Sequence, residues 1–146
     1  VELSPKEAAM PRLRNSIAID AAPDEVWSVL GNLTATPEWI PGVVSAQVDG
    51  DDRRCRTADG SEIRERIVDY SAEARTLSYE QSHVPLPIER SRGTLRVVPE
   101  GSGAHVEWEA EFEAPEEVAA MVDGYYKQTL EALRRRVETG ETPATM

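Results

Sequence analysis

The chain has 146 residues, enough for one domain with a substantial buried core, and its 40% hydrophobic and 29% charged content excludes a disordered chain. A net charge of −11, from 27 acidic against 16 basic residues, argues against nucleic acid as a partner, because phosphate binding needs a positive surface. No apolar run approaches the roughly 18 residues of a membrane span, so no membrane insertion is expected, and the lone Cys55 excludes an internal disulfide and suits a cytoplasmic location.

Residues 1–10 are expected to stand outside the fold, disordered or expression-derived, with Met10 a candidate natural start. Residues 12–20 alternate as a first strand. Pro23 then opens a helix over 23–31, with Asp24 and Glu25 suiting its positive end and Val26, Trp27, Val29 and Leu30 forming its apolar face. Thr36-Pro37-Glu38 caps a second, one-turn helix carrying Trp39 and Ile40, which Pro41-Gly42 stops. The period then becomes two. Strands are expected over 43–49, 53–58, 61–70, 75–83, 88–98 and 104–114, separated by turn-formers such as Asp59-Gly60 and Gly101-Ser102-Gly103.

The last strand is the clearest. Val106, Trp108, Ala110 and Phe112 point one way, and Glu107, Glu109, Glu111 and Glu113 the other. In the strand before it, Leu95 and Val97 turn inward while Arg92, Thr94 and Arg96 face the glutamates, each such pair contributing from a few tenths to about 1 kcal/mol. Residues 116–138 form a long helix. Val118, Met121, Val122, Tyr125, Tyr126, Thr129, Leu130, Leu133 and Val137 make its apolar stripe. Gly124 interrupts it at a cost of about 1 kcal/mol relative to alanine, which points to close packing or to room for a bound molecule. One sheet face and one helix stripe must cover each other, giving an α+β fold: a curved seven-stranded antiparallel sheet wrapped around a long C-terminal helix, with two short helices after the first strand. The domain is expected over 11–139, with 140–146 a flexible tail.

Five segments in order carry a family resemblance: Ala22-Pro23-Asp24-Glu25-Val26-Trp27, Pro37-Glu38-Trp39-Ile40-Pro41-Gly42, Arg64-Glu65-Arg66-Ile67, Pro85-Leu86-Pro87-Ile88 and Gly93-Thr94-Leu95-Arg96-Val97. Over residues 12–138 the chain resembles the START-like helix-grip superfamily, in its polyketide cyclase/dehydrase-like branch. The resemblance implies an internal cavity for a hydrophobic small molecule. In the aromatase/cyclases of that superfamily a middle-strand arginine points into the pocket, and the alignment puts Arg66 there, with Arg64 one pleat away. Apolar alternation says otherwise: it turns Ile63 and Ile67 inward and leaves Arg64 and Arg66 in solvent. No residue matches the tyrosine those cyclases use on their helical segment.

The remaining candidates come from the residues themselves. Leu77, Tyr79, Gln81 and His83 share one strand face; if it faces inward, His83 stands where a proton-transfer group is needed, beside Tyr79 and Gln81. The bland alternative puts His83 in solvent near Val84-Pro85. Ser91 shares a face with Leu95 and enlarges the cavity, and Glu89 belongs at its mouth. Trp27, Trp39 and Trp108 are pocket wall or plain core, while Met121 and Tyr125 bring the helix stripe to the ligand. Cys55 stands among Arg53, Arg54 and Arg56, which either lower its pKa or are merely solvated. His83 and His105 lack metal-ligand spacing, and there is no P-loop, GxGxxG or GxSxG, so neither metal nor cofactor is expected.

These readings favour a monomeric or homodimeric protein that binds a hydrophobic, aromatic or polyketide-like molecule. As a cyclase it would use Arg66 and His83 as catalytic groups; as a non-catalytic carrier, sensor or sequestering protein it needs only the cavity. An interaction domain with a closed cavity is the third reading, disfavoured by the strict inside–outside patterning.

Overall fold

A computed structural model describes residues 11–143; the expectations for residues 1–10 and for the last three residues of the tail fall outside the described residues. Seven strands form one antiparallel sheet: β1 (Arg12–Ile19), β2 (Val43–Asp49), β3 (Asp52–Thr57), β4 (Glu62–Ser71), β5 (Thr76–His83), β6 (Glu89–Glu100) and β7 (Gly103–Glu113). Their spatial order is β1-β7-β6-β5-β4-β3-β2, so the first two strands in sequence form the two edges. Helix α1 (Pro23–Leu30) and a single 3₁₀ turn (Thr36–Glu38) connect those edges, and α2 (Glu116–Thr139) lies along the inner face. This is the helix-grip architecture. No described helix is long and apolar enough to cross a membrane.

Local chemistry accounts for the elements. Pro23 takes the first position of α1, and the Glu25 carboxylate accepts the Ala22 backbone N–H at 3.2 Å, satisfying a donor the helix leaves free. The expected one-turn helix is a 3₁₀ turn that begins at Thr36, whose hydroxyl caps nothing and is buried against the Cys55 thiol, 3.6 Å away. In α2, Ala119, Val122, Tyr126, Thr129, Leu130 and Leu133 are buried at spacings of three and four, and left-handed Gly140 closes the helix by donating to the Arg136 carbonyl. Bulges interrupt the pairing of β2 with β3, of β4 with β5 and of β6 with β7. Each bulge adds bend and twist, so they help curl the sheet around the helix.

The core lies where β5, β6 and β7 meet α1 and α2. Leu77, Leu95 and Trp108 stand directly opposite one another across three strands, next to Val97 paired with Val106. Val26, Leu30, Leu130 and Leu133 close over them, each no more than 2% exposed. Outside, Arg92 and Arg96 sit opposite Glu111 and Glu107 and bond them, and Arg12 and Arg14 of β1 reach Glu111 and Glu109. The hydrogen bonds from Arg92 and Arg12 hold the Glu111 carboxyl below the usual range.

Candidate functional site

Between the end of α2 nearest Glu116 and the opposite half of the sheet lies a chamber of about 570 Å³, within the size range of small-molecule sites. Ile63, Ile88, Val122 and Tyr126 line it, and Gln81 and Tyr125 add polar groups. Leu86 and Met121, 40% and 54% exposed, form an apolar rim. The Pro85-Leu86-Pro87 segment carries Leu86 to that rim because its prolines cannot continue a ladder.

A polar row backs the chamber. Arg53, Glu65, Gln81 and Ser91 stand directly opposite one another across β3, β4, β5 and β6, all facing inward. Arg53 Nε and Nη2 lie 2.9 and 2.7 Å from Glu65 Oε1, with side chains only 6% and 10% exposed. Arg53 Nη1 donates to the Leu33 carbonyl at 3.3 Å. Gln81 Nε2 donates to Glu65 Oε2 at 3.0 Å, and the Ser91 hydroxyl donates to Gln81 Oε1 at 2.6 Å. The row is a continuous hydrogen-bonded chain, which is what makes a buried charge pair tolerable.

One row further in stand the aromatics. Trp108 Nε1 donates to the Tyr79 hydroxyl at 2.9 Å, and the Trp108 ring stacks on Tyr126 with centroids 3.9 Å apart. The Tyr79 and Tyr126 side chains are both buried in this cluster. Gly93, opposite Tyr79, makes room for this ring: a Cβ there would stand 2.4 Å from the Tyr79 hydroxyl oxygen. Burial pushes Tyr79 well above the usual phenol value and Tyr125 and Tyr126 up to about 12. The Tyr125 hydroxyl donates to the Pro41 carbonyl at 2.6 Å. At the chamber edge, hydrogen bonds from Thr57 and Ser61 hold Asp59 down at about 2. The titratable groups on this wall are therefore fixed away from neutrality, two as phenols and one as a carboxylate.

A family model described as polyketide cyclase/dehydrase and lipid transport matches residues 10–138. The chain belongs to this family. Among solved structures, XoxI from Bacillus cereus is 26% identical, with a TM-score of 0.82 over 89% of this chain and 97% of that one. The di-domain aromatase/cyclase BexL of the BE-7585A biosynthetic pathway is 22% identical, with a TM-score of 0.78 over 88% of this chain and 47% of that one. The ZhuI aromatase/cyclase from Streptomyces sp. R1128 is 16% identical, with a TM-score of 0.75 over 90% and 98%. No curated protein matches the sequence.

Within this polyketide cyclase-family chain, the candidate residues divide sharply. Gln81, Met121 and Tyr125 line the chamber, and Ser91 is buried directly behind Gln81. Tyr79 and Trp108 lie deeper in the core, with Trp27 and Trp39 in the same cluster; Trp27 tilts against Tyr70 at 5.4 Å, and Trp39 Nε1 is buried without a hydrogen-bond partner. Arg64 and Arg66 project outward, Arg64 onto Glu62 at 2.8 Å and Arg66 toward Asp52 at 3.7 Å. Alternation from Ile67 accounts for this. His83 is also exposed, paired with Arg64 across the ladder, because one extra β5 residue, Ser82, lies between the Arg64–His83 and Glu65–Gln81 pairs and flips the strand face. Glu89 is likewise exposed. Burial raises the Cys55 thiol, outweighing Thr36 and Arg53, so its arginine neighbours do not activate it.

Two residues of the polar row beside the chamber were not singled out from the sequence as site residues. The inward-facing arginine of the sheet's open half is Arg53, and its partner is Glu65. The signal was present: Arg53 shares strand parity with Cys55, and Glu65 lies midway between Ile63 and Ile67.

Proposed function

We propose that this chain binds a hydrophobic, aromatic or polyketide-like small molecule in the chamber between β3–β5 and α2, and holds it folded toward ring closure. The observation that carries this reading is the chamber itself: apolar walls with a few oriented polar groups set deep among them. The family description and the aromatase/cyclase names of similar folds support that chemical class. Confinement alone contributes to cyclisation by removing conformations in which the reacting carbons are apart.

A non-catalytic carrier is the second reading, and one observation favours it. General acid–base catalysis is most efficient with groups that titrate near the working pH. Tyr125 and Tyr126 are pushed up to about 12 and Asp59 is held at about 2. The test is native mass spectrometry of protein from its producing host, joined to thermal shifts against polycyclic aromatics and fatty acids. A retained mass, or a strong shift, supports the chamber; ligand at 100 times its Kd adds about 2.7 kcal/mol. An extracted molecule with newly closed rings favours the cyclase, and an unaltered metabolite favours the carrier. Neither mass nor shift would sink both.

A further inference from the structure

The geometry points to a chamber that selects uncharged, oxygen-bearing ligands over carboxylates, with the Gln81 amide as the group that recognises the oxygen. This inference rests on the proposed binding function and names the ligand class for the same chamber.

The argument begins with the arginine. An inward cation would ordinarily recruit an anionic ligand, but each of the three Arg53 nitrogens already has an oxygen partner, two on Glu65 and one on Leu33. Its charge is cancelled by Glu65 in the row behind the lining residues. The residues lining the chamber include no arginine, lysine or histidine, and their one charged group is the carboxylate of Asp59. A ligand carboxylate entering here would lose water, meet no cation and face a like charge.

Gln81 offers the opposite. Its amide orientation is dictated by its neighbours: the Glu65 carboxylate only accepts, so Nε2 must face it, and Oε1 then receives the Ser91 hydroxyl. A primary amide has two N–H groups and two lone pairs on oxygen. One of each is used in the row, leaving one N–H and one lone pair on a residue that lines the chamber. That pair suits a ketone or an enol oxygen equally. The tyrosine hydroxyls are less available: Tyr125 is committed to Pro41, and Tyr126 is buried with its ring stacked on Trp108.

The experiment compares three naphthalenes substituted at the same ring carbon: the methyl ketone acetylnaphthalene, its isosteric alkene isopropenylnaphthalene and the carboxylate naphthoate. Dissociation constants are measured at neutral pH by calorimetry or by competition with a fluorescent dye. The ketone is expected to bind about three- to tenfold more tightly than the alkene, the worth of one hydrogen bond. Naphthoate is expected to bind roughly tenfold or more weakly than the ketone. In Gln81→Met the ketone-to-alkene ratio should fall to about one, with circular dichroism confirming the fold. If that variant does not fold, the ranking in the unaltered protein still decides. Naphthoate matching the ketone, or the ketone merely matching the alkene, overturns the selectivity. The alkene asks only for apolar space: if it binds without any ranking, the chamber stands and this inference falls, and if none of the three binds, both fall.

Discussion

The two halves of the sheet bury different chemistry against the same helix. In the half made of β6, β7 and β1, the inward rows are Leu95, Val97, Val106, Trp108 and Phe112, and the charges stay outside as an arginine–glutamate ladder. In the half made of β3, β4 and β5, the inward row includes Arg53, Glu65 and Gln81, with Arg64 and Arg66 outside. The first half seals; the second holds a chamber open. Apolar side chains interlock until no space remains, whereas a polar row held rigidly by its own hydrogen bonds keeps its atoms in place and leaves the volume in front unfilled.

The largest expected effect tests whether the open half is truly dry behind the chamber. Glu65→Ala should cost about 3–5 kcal/mol, because it strands Arg53 as a buried unpaired charge. Pairing it with Arg53→Met removes the stranded charge and should recover part of that loss, the rest reflecting the space left at position 65 and the Gln81 amide that loses its acceptor. On the outer ladder, Glu109→Ala should cost less than about 1 kcal/mol, since its partner Arg14 is 80% exposed. Urea denaturation of the three variants makes the comparison. Equal losses at Glu65 and Glu109 would mean that water reaches the Arg53 pair and that the contrast between the halves is false.

The seam between the halves is Tyr79, and Gly93 is what admits it. Gly93→Ala should destabilise by about 1–3 kcal/mol, since its Cβ would fall 2.4 Å from the Tyr79 oxygen and 2.6 Å from the adjoining ring carbon. Tyr79→Phe removes the nearer atom, so the double variant should lose less than the sum of the single losses. Additive losses in chemical denaturation would show that Gly93 serves something other than the tyrosine.

What the sequence revealed follows the same division. Strict alternation read β7 and the Leu95–Val97 stretch of β6 correctly because the inward residues there are apolar and their outward neighbours are arginines, glutamates and a threonine, so composition and direction carry one signal. In β4 the same rule placed Arg64 and Arg66 outside correctly, against the arginine position implied by family resemblance. It missed Glu65, since alternation ranks residues by hydropathy and a buried ion pair looks like two solvated charges until its partner strand is known. For His83 the sequence left two orientations open, inward or in solvent, and the structure takes the second. The extra residue at Ser82 reverses the strand face, and no turn-former or glycine announces it.

High pH separates the halves through the chamber phenols. Tyr125 and Tyr126 have folded-state values of about 12 against an ordinary 10.0, raised by burial. A raised value means that their contribution to stability is complete below about pH 10 and is lost as pH climbs through about 12. The thermal midpoint should therefore fall across that window, with tyrosinate absorbance rising together with unfolding. Tyrosinate formation at ordinary values in a chain that remains fully folded would mean that the chamber is wetter than its packing indicates.

The smallest effect concerns the face of α2 turned away from both halves. Gly124 is exposed, has an ordinary helical backbone, and has nothing within 4 Å of where a Cβ would stand. It therefore supports neither of the roles expected of it, close packing or room for a ligand, although its neighbour Tyr125 lines the chamber. An alanine there loses no contact and sheds the excess backbone entropy of glycine in the unfolded chain. Gly124→Ala should stabilise by up to about 1 kcal/mol, raising the midpoint by roughly 3–5 °C in a thermal melt while leaving ligand affinity unchanged. A loss of stability would mean that something outside this chain approaches α2 closely at that turn. A loss of affinity without a loss of stability would tie this outer face to the chamber through the first half of α2, and the division between sealed and open halves would then have to include the helix itself.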